Sequence, residues 1–259
     1  MKRYIYLISP QKIKGNRFYS ELDRVLKSNK VKYFQLRIKK ISTLNLIKIS
    51  KKIKKITKKN KVKLLINDNP FVAKAVNADG CHIGQKDMDF MNSRQILGRK
   101  KIIGMTCHNS KKLALNAKKM GVNYIAFGSF FKSPTKKTTN KANLAILRWS
   151  KKKISMPVVA IGGINSSNYK KILSNGADYI AFGQFFKSST KESTFRANLA
   201  ILRWAKKKIN MPTVAIGGIN SSNYKKILSN GANFIACSSY IWNNKKLDPV
   251  SAIKILSKK

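Results

Sequence analysis

The chain has 259 residues, enough for one substantial core, and its 43% hydrophobic content is ordinary for a globular protein. Its formal charge of +46, from 55 basic against 9 acidic residues, turns attention to polyanions. Only 9 of the basic residues are Arg, and the lysines run over every expected helix, so the composition argues a solvated lysine surface that draws in anionic substrates rather than a reader of nucleic-acid sequence.

Tyr4–Ser9 is a β-rich run ended by Pro10 and reads as a first strand. The segment MKRYIYLISP around it has too short an apolar run for a secretory signal and no small-residue cleavage site. No apolar run approaches the ~20 residues that span a bilayer, so a cytoplasmic, soluble protein is expected. A helix follows at about 19–28. Tyr33–Lys39 reads as a second strand whose Gln35, Arg37 and Lys39 share one face by period-two spacing. On an exposed edge these three would be solvent decoration, and at a barrel mouth they would converge on an anion.

Leu44–Lys59 carries apolar residues at helical intervals between lysines. Val62–Ile66 is a third strand ending at Asn67-Asp68. Ala78–Gly84 holds a short fourth strand followed by Gln85-Lys86-Asp87, and Ile102–Thr106 is a fifth, followed by Cys107-His108-Asn109 and a helix at about 110–120. Cys81, Cys107 and Cys237 are an odd number without framework spacing, which argues free thiols in a reducing compartment. Cys81-His82 and Cys107-His108 lack an accompanying C-x-x-C, so a zinc site is not expected.

From Tyr124 the chain repeats itself. Residues 124–178 match 179–233 at 45 of 55 positions, and a third start, FIACSS, follows at Phe234. Each unit reads strand, loop, helix, strand, loop, helix, with ANLAILRW and NYKKILSNGA as the helices. Surface lysines match along with core positions, which points to a tandem duplication. Alternating strands and helices throughout argue an α/β protein with a parallel sheet. No G-x-G-x-x-G turn follows the first strand, which favours a closed barrel over an open doubly wound sheet. The expectation is a single-domain (β/α)8 TIM barrel over residues 1–259, with an extra βαβα unit from the repeat.

Acids are so rare that Asp68 and Asp87, each directly after a strand, stand out. Singly each reads equally as a helix cap or turn residue. Together they suit Mg²⁺, which takes one or two carboxylates and completes its shell with water and substrate phosphates. Ser133, Thr135 and Lys136 offer hydroxyls and an ammonium to a phosphate. Gly162-Gly163, repeated as Gly217-Gly218, permits close backbone approach, and Ser238-Ser239 closes the last strand where barrels commonly bind phosphate.

The segments QLRIK (35–39), LLIND (64–68), ADGCHIGQKD (78–87), IIGMTCH (102–108), SPTK (133–136), VVAIGGI (158–164) and ACSS (236–239) together resemble the thiamine phosphate synthase family over residues 4 to about 242, apart from the extra repeat. The resemblance implies a (β/α)8 barrel and a transferase of thiamine biosynthesis. Such an enzyme joins hydroxymethylpyrimidine diphosphate to hydroxyethylthiazole phosphate, plain or carboxylated, and releases pyrophosphate. It implies that Gln35, Leu36, Arg37, Ile38, Lys39, Asn67, Thr106 and Lys136 contact the pyrimidine diphosphate, with Arg37, Lys39 and Lys136 assisting its departure. It implies that Asp68 and Asp87 hold Mg²⁺, and that Ser133, Thr135, Gly163 or Gly218, Ser238 and Ser239 receive the thiazole phosphate. Ile38 departs from the family's usual acid, Thr106 from its commoner Ser, and Ser133 from its usual Thr. His82 and His108 match family positions and are read as packing and hydrogen-bonding residues. The partners implied are small phosphorylated molecules, with neither a membrane nor a specific nucleic acid and with homo-oligomerisation left open. A thiazole tautomerase-like paralogue, a lysine-rich nucleic-acid binder and an inactive duplicated variant are the alternatives. Within the repeat three arrangements are open: an eight-stranded barrel closed by YIAFGQFF with the rest as an appendage, one that loops out a whole unit and closes with FIACSS, and a ten-stranded barrel with a wider mouth. The second is favoured, pairing SPTK of the first copy with Gly218 and Ser238-Ser239.

Overall fold

Among the described residues every strand joins one parallel sheet. The structure, a computed structural model, describes residues 4–13, 15–84, 92–131, 141–164, 168–181, 185–186, 199–208 and 213–257. Its first five strands are β1 (Tyr4–Ile8), β2 (Val31–Leu36), β3 (Lys63–Asn67), β4 (Gly80–Ile83) and β5 (Ile102–His108). The repeats supply β6 (Tyr124–Phe127), β7 (Val158–Ile161), β8 (Tyr179–Ala181), β9 (Val214–Ile216) and β10 (Phe234–Cys237). Helices alternate with them: α1 (Arg17–Leu26), α2 (Thr43–Lys59), α3 (Pro70–Ala75), α4 (Ser93–Leu97) and α5 (Lys111–Lys119). The later ones are α6 (Leu144–Lys153), α7 (Tyr169–Ser174), α8 (Ala200–Lys208), α9 (Tyr224–Ser229), α10 (Ser239–Trp242) and α11 (Pro249–Ser257).

The helix starts follow from capping chemistry. Ser42, Asn69 and Ser110 each accept a hydrogen bond from a backbone N–H three residues on, and Pro70 sits at the first turn of α3, where its missing donor costs nothing. Along the strands, alternate residues divide cleanly. Leu7, Phe34, Leu36, Ile66, Ile83, Ile103 and Phe127 are almost fully buried in the main core beneath the helices. Tyr6, Tyr33, Gln35, Asn67, His82, Thr106 and Tyr124 take the other face.

That second face is concave. The sheet order is β8-β7-β6-β5-β4-β3-β2-β1-β10-β9, so four strands separate β1 from β6. In a flat sheet that is about 24 Å, from a strand spacing of ~4.8 Å. Yet the Tyr124 phenol is near enough to raise the pKa of Tyr6, after the larger effect of burial, which requires the sheet to curl.

The expected looped-out unit is not found. Both copies lie in the sheet, giving ten strands rather than eight, because β8 and β9 carry the same pairing groups and apolar alternation as β6 and β7. The end strands β8 and β9 are not paired with each other among the described residues. Their tops are nonetheless linked, since the N–H groups of Phe185 and Phe186 donate to the carbonyls of Ile216 (3.4 Å) and Gly217 (3.2 Å). Phe130 and Phe131 make the same bonds to Ile161 and Gly162 one copy earlier.

Candidate active site

The site is built where β2 to β5 end. The second strand stops at Leu36, three residues short of the Lys39 expected from alternation. Its neighbour β1 runs into Pro10, which has no N–H, and the β1–β2 ladder ends at Ile8 and Gln35. Arg37 is therefore held by its own N–H on the Ser9 hydroxyl (2.9 Å), and Arg37 and Lys39 leave from a loop instead of sharing a strand face with Gln35. Leu36 as a whole is 1% exposed and belongs to the core. Ile38 is half-buried and packs against the core.

Four of the expected residues do converge. The Gln35 side-chain amide donates to Asn67 Oδ1 at 3.0 Å, joining β2 to β3. The next residue, Asp68, turns left-handed (φ 69°) and gives its N–H to the carbonyl of His82 at 2.8 Å. A non-glycine residue in that region costs on the order of 1 kcal/mol. Its carboxylate forms an ion pair with Lys39 Nζ. A hard anionic oxygen already facing a cation suits the chemistry of Mg²⁺. Asp87, the second expected ligand, lies outside the described residues. So do Ser133, Thr135 and Lys136. Among the described residues no group of three or more His, Cys, Asp or Glu could hold a metal ion.

His82, on β4, lies between two hydroxyls. Its Nδ1 is 2.8 Å from the Tyr124 hydroxyl on β6, and its Nε2 is 3.2 Å from Thr106 Oγ1 on β5. Burial lowers its pKa, Asp68 opposes that and Arg37 lowers it again, so the net effect favours the neutral ring. Those influences place Arg37, Asp68 and His82 within one electrostatic neighbourhood. Tyr124 reaches across β5 because Gly104 has no side chain: a Cβ there would stand 2.0 Å from the Tyr124 Cζ. Burial pushes the Tyr124 phenol up to about 12. Sequence reasoning missed both Tyr124 and Gly104. The signal available was a glycine inside an apolar strand, which marks a close approach. The other histidine, His108, ends β5 with φ 51° and accepts from the Gly128 N–H.

The opposite rim holds the glycines and serines. Gly163 (φ 66°) leaves no room for a side chain, since its Cβ would lie 2.5 Å from the Phe131 carbonyl oxygen. Asn168 and Asn223 each donate a side-chain hydrogen bond to the carbonyl of Gly163 (3.1 Å) or Gly218 (2.9 Å), a strut that sequence reasoning did not identify. The register pairs Ile216 with Ala236, and Gly218 and Ser238 follow two residues later, past the ends of the adjacent strands β9 and β10. Gly163 instead follows Ile161, whose partner is Ala181 on β8. Ser238 donates its hydroxyl to the carbonyl of Ser9 (3.0 Å), and Trp242 Nε1 donates to that of Ile8 (2.8 Å), tying the end of β10 to the end of β1. Cys81, Cys107 and Cys237 are buried and form no disulfide, and burial pushes the thiols of Cys107 and Cys237 up to about 12. They are packing residues at physiological pH.

A family model described as thiamine monophosphate synthase matches residues 5–177 and again 169–241, one stretch ending and the other beginning at α7. The chain is 45% identical to the thiamine-phosphate synthase of Pelagibacter ubique, covering 98% of this chain and 96% of that one. It is 38% identical to the thiamine-phosphate synthase of Clostridium acetobutylicum, over 68% of this chain and 83% of that one. Among solved structures, thiamine phosphate pyrophosphorylase from Pyrococcus furiosus superposes with a TM-score of 0.51 at 24% identity, covering 98% of this chain and 93% of that one. No helix among the described residues is long and apolar enough to cross a membrane.

Proposed function

We propose the following from the premise that this chain belongs to the thiamine phosphate synthase family and is a transferase that makes thiamine phosphate. It binds hydroxymethylpyrimidine diphosphate at the ends of β2 to β5 and hydroxyethylthiazole phosphate at the ends of β9 and β10. The observation that carries this reading is the convergence of Gln35–Asn67, Lys39–Asp68 and His82–Thr106 at one end of four neighbouring strands.

The roles follow from charge. Gln35, Asn67 and Thr106 present neutral donors and acceptors suited to a pyrimidine ring. Arg37 and Lys39, on the loop after β2, carry the positive charge that steadies the departing diphosphate, and Lys136 adds to it. Asp68 and Asp87 would hold Mg²⁺, which when bound offsets the charge gathering on that leaving group. As the carbon–oxygen bond breaks, its electron pair leaves with the pyrophosphate and the pyrimidine methylene becomes cationic. The thiazole nitrogen, held by its phosphate tether, supplies the new bonding pair, so no protein nucleophile takes part. Ser133, Thr135, Gly218, Ser238 and Ser239 hold that tether. Gly218 is preferred to Gly163 because it follows β9, the strand paired with β10, from whose end Ser238 leaves. The pairing of copies fits a tandem duplication after which both units kept their strands. The family's (β/α)8 barrel, extended here by one βαβα unit, is the architecture that places both substrates at one mouth.

The test is thiamine phosphate formation from the two phosphorylated substrates by the purified protein. Product that disappears with EDTA, returns with Mg²⁺ and is absent from Asp68→Ala and Asp87→Ala supports the reading. A folded wild-type protein that forms no product, or forms it undiminished in EDTA, overturns it.

A further inference from the structure

We propose that Tyr124 and His82 are positioning residues that fix the Thr106 hydroxyl as a hydrogen-bond donor toward the pyrimidine diphosphate, through a relay held in the Nε2–H tautomer of His82. This rests on the reading above that Thr106 faces that substrate.

Proton counting gives the direction. A neutral imidazole carries one ring proton, so one nitrogen donates and the other accepts. Tyr124 is half-buried on the concave face, where a hydroxyl proton left without an acceptor is costly. His82 Nδ1, at 2.8 Å, is the acceptor its hydroxyl meets among the described residues. A phenol whose pKa is pushed up to about 12 keeps its proton at any working pH and donates it there. Nδ1 is then the acceptor and Nε2 carries the ring proton. At 3.2 Å, Nε2–H donates to Thr106 Oγ1. The Thr106 proton is turned away from the ring and toward the mouth, where it meets an acceptor: a pyrimidine ring nitrogen or a diphosphate oxygen. With the opposite tautomer Thr106 would spend its proton on His82 and offer the substrate only lone pairs.

The slot for Tyr124 is specific to its strand. Gly104 opens it, because a Cβ there would stand 2.3 Å from the Tyr124 hydroxyl oxygen. The two later copies put Tyr179 on β8, beside Val159, and Phe234 on β10, beside Tyr4. Phe234 has no hydroxyl, so β10 cannot take over the relay. The first copy therefore supplies the working β6.

Two readouts test the proposal. The chain has two histidines, so an imidazole ¹⁵N spectrum contains only two ring systems. His82 is expected to show a pyridine-type Nδ1 and a pyrrole-type Nε2 in the wild type, and a tautomer mixture in Tyr124→Phe. In steady-state kinetics Tyr124→Phe raises KM for the pyrimidine diphosphate ~3- to 10-fold, the equivalent of one net hydrogen bond, and leaves KM for the thiazole phosphate alone. Gly104→Ala, which pushes the ring out of its slot, does the same. Thr106→Val abolishes the effect of Tyr124→Phe, and Thr106→Ser recovers most of the affinity that Thr106→Val loses. An Nδ1–H tautomer in the wild type overturns the relay, as do equal changes in both KM values or additive losses in the double variant. A wild type that shows the Nε2–H tautomer but makes no thiamine phosphate overturns the substrate assignment alone.

Discussion

Deletion of residues 179–233 should leave a folded enzyme that is at least as active as the full chain. The junction is almost seamless. Removing these 55 of 259 residues leaves 204 and brings Asp178 to Phe234 in place of Asn233. The two residues do the same local work, for Asp178 accepts from the Val158 N–H at 2.8 Å and Asn233 from the Thr213 N–H at 2.8 Å. The partners of β10 also survive, because Val214, Ala215 and Ile216 are replaced by the identical Val159, Ala160 and Ile161. Geometry then favours the shorter chain. With strands ~4.8 Å apart and tilted by ~36°, ten would close on a diameter of about 19 Å and eight on about 15 Å. The mouth narrows by about 4 Å, more than the ~3–3.5 Å at which the reacting atoms must meet. A residual misplacement of ~1 Å in the full-length chain is worth on the order of 10²-fold in rate, which bounds the gain. The assay compares kcat and both KM values of the two purified chains, with circular dichroism and gel filtration to show that each is folded. Loss of soluble protein on deletion, or a folded deletion variant with lower kcat than the full chain, would refute the reasoning and make the ten-stranded arrangement the working one.

Three further outcomes are expected. The Asp79 carboxylate is pushed up by burial but held below its usual range by Lys54 Nζ and the Leu64 N–H, both at 2.8 Å. Its stabilisation is present above about pH 4 and is lost as pH falls through its lower folded value, so Asp79→Asn should cost roughly 1–2 kcal/mol near pH 7 and nothing at low pH; a melting-temperature gap that persists unchanged into acid would contradict this. The charge of +46 should make kcat/KM fall several-fold when salt rises from ~0.05 to ~0.5 M, with kcat less affected, and a flat salt profile would remove steering from the account. Gly163→Ala and Gly218→Ala both force a side chain into left-handed backbone (φ 66° and 63°) and should each destabilise by ~1 kcal/mol or more, but only Gly218→Ala should raise KM for the thiazole phosphate. Equal KM effects would return the phosphate to the first copy.

What was legible in the sequence was periodicity and chain order. Strand edges fell within a residue or two for β1, β3 and β4, because each alternation is closed by a local stop such as Pro10 or the left-handed Asp68. The end of β2 was misplaced because it depends on a neighbour. YFQLRIK alternates through Lys39, and nothing within it says that the β1 ladder has ended at Ile8. The short helices α3 and α4 escaped for a related reason, since six and five residues give too few turns for a period to show. In the site, Asn67 and Asp68 were singled out from their place after a strand and Gln35 from its alternation, while Thr106 came only with the family resemblance. Tyr124 and Gly104 were missed, because their meaning lies in the space across β5 that only packing defines.

Strand number is a property of the same kind. Pairing is a contest between edges, and a repeat makes the competitors chemically equal: β10 meets the same Val-Ala-Ile in β7 as in β9. The difference between eight and ten strands therefore rests on a few positions that do not match. One is Thr213 against Val158, whose hydroxyl lies 3.2 Å from the Gly231 carbonyl and can donate to it. Another is Ser238-Ser239 against Gly183-Gln184 in the sequence, and here the choice matters to chemistry, since the Ser238 hydroxyl ties back to Ser9 at the end of β1. Selection on catalysis acts on that rim and is blind to how many identical strands precede it, provided the rim still faces Lys39 and Asp68 across the mouth. On this reasoning the second copy is neutral to pairing, and any cost it carries would come through the width it adds, which the deletion variant measures.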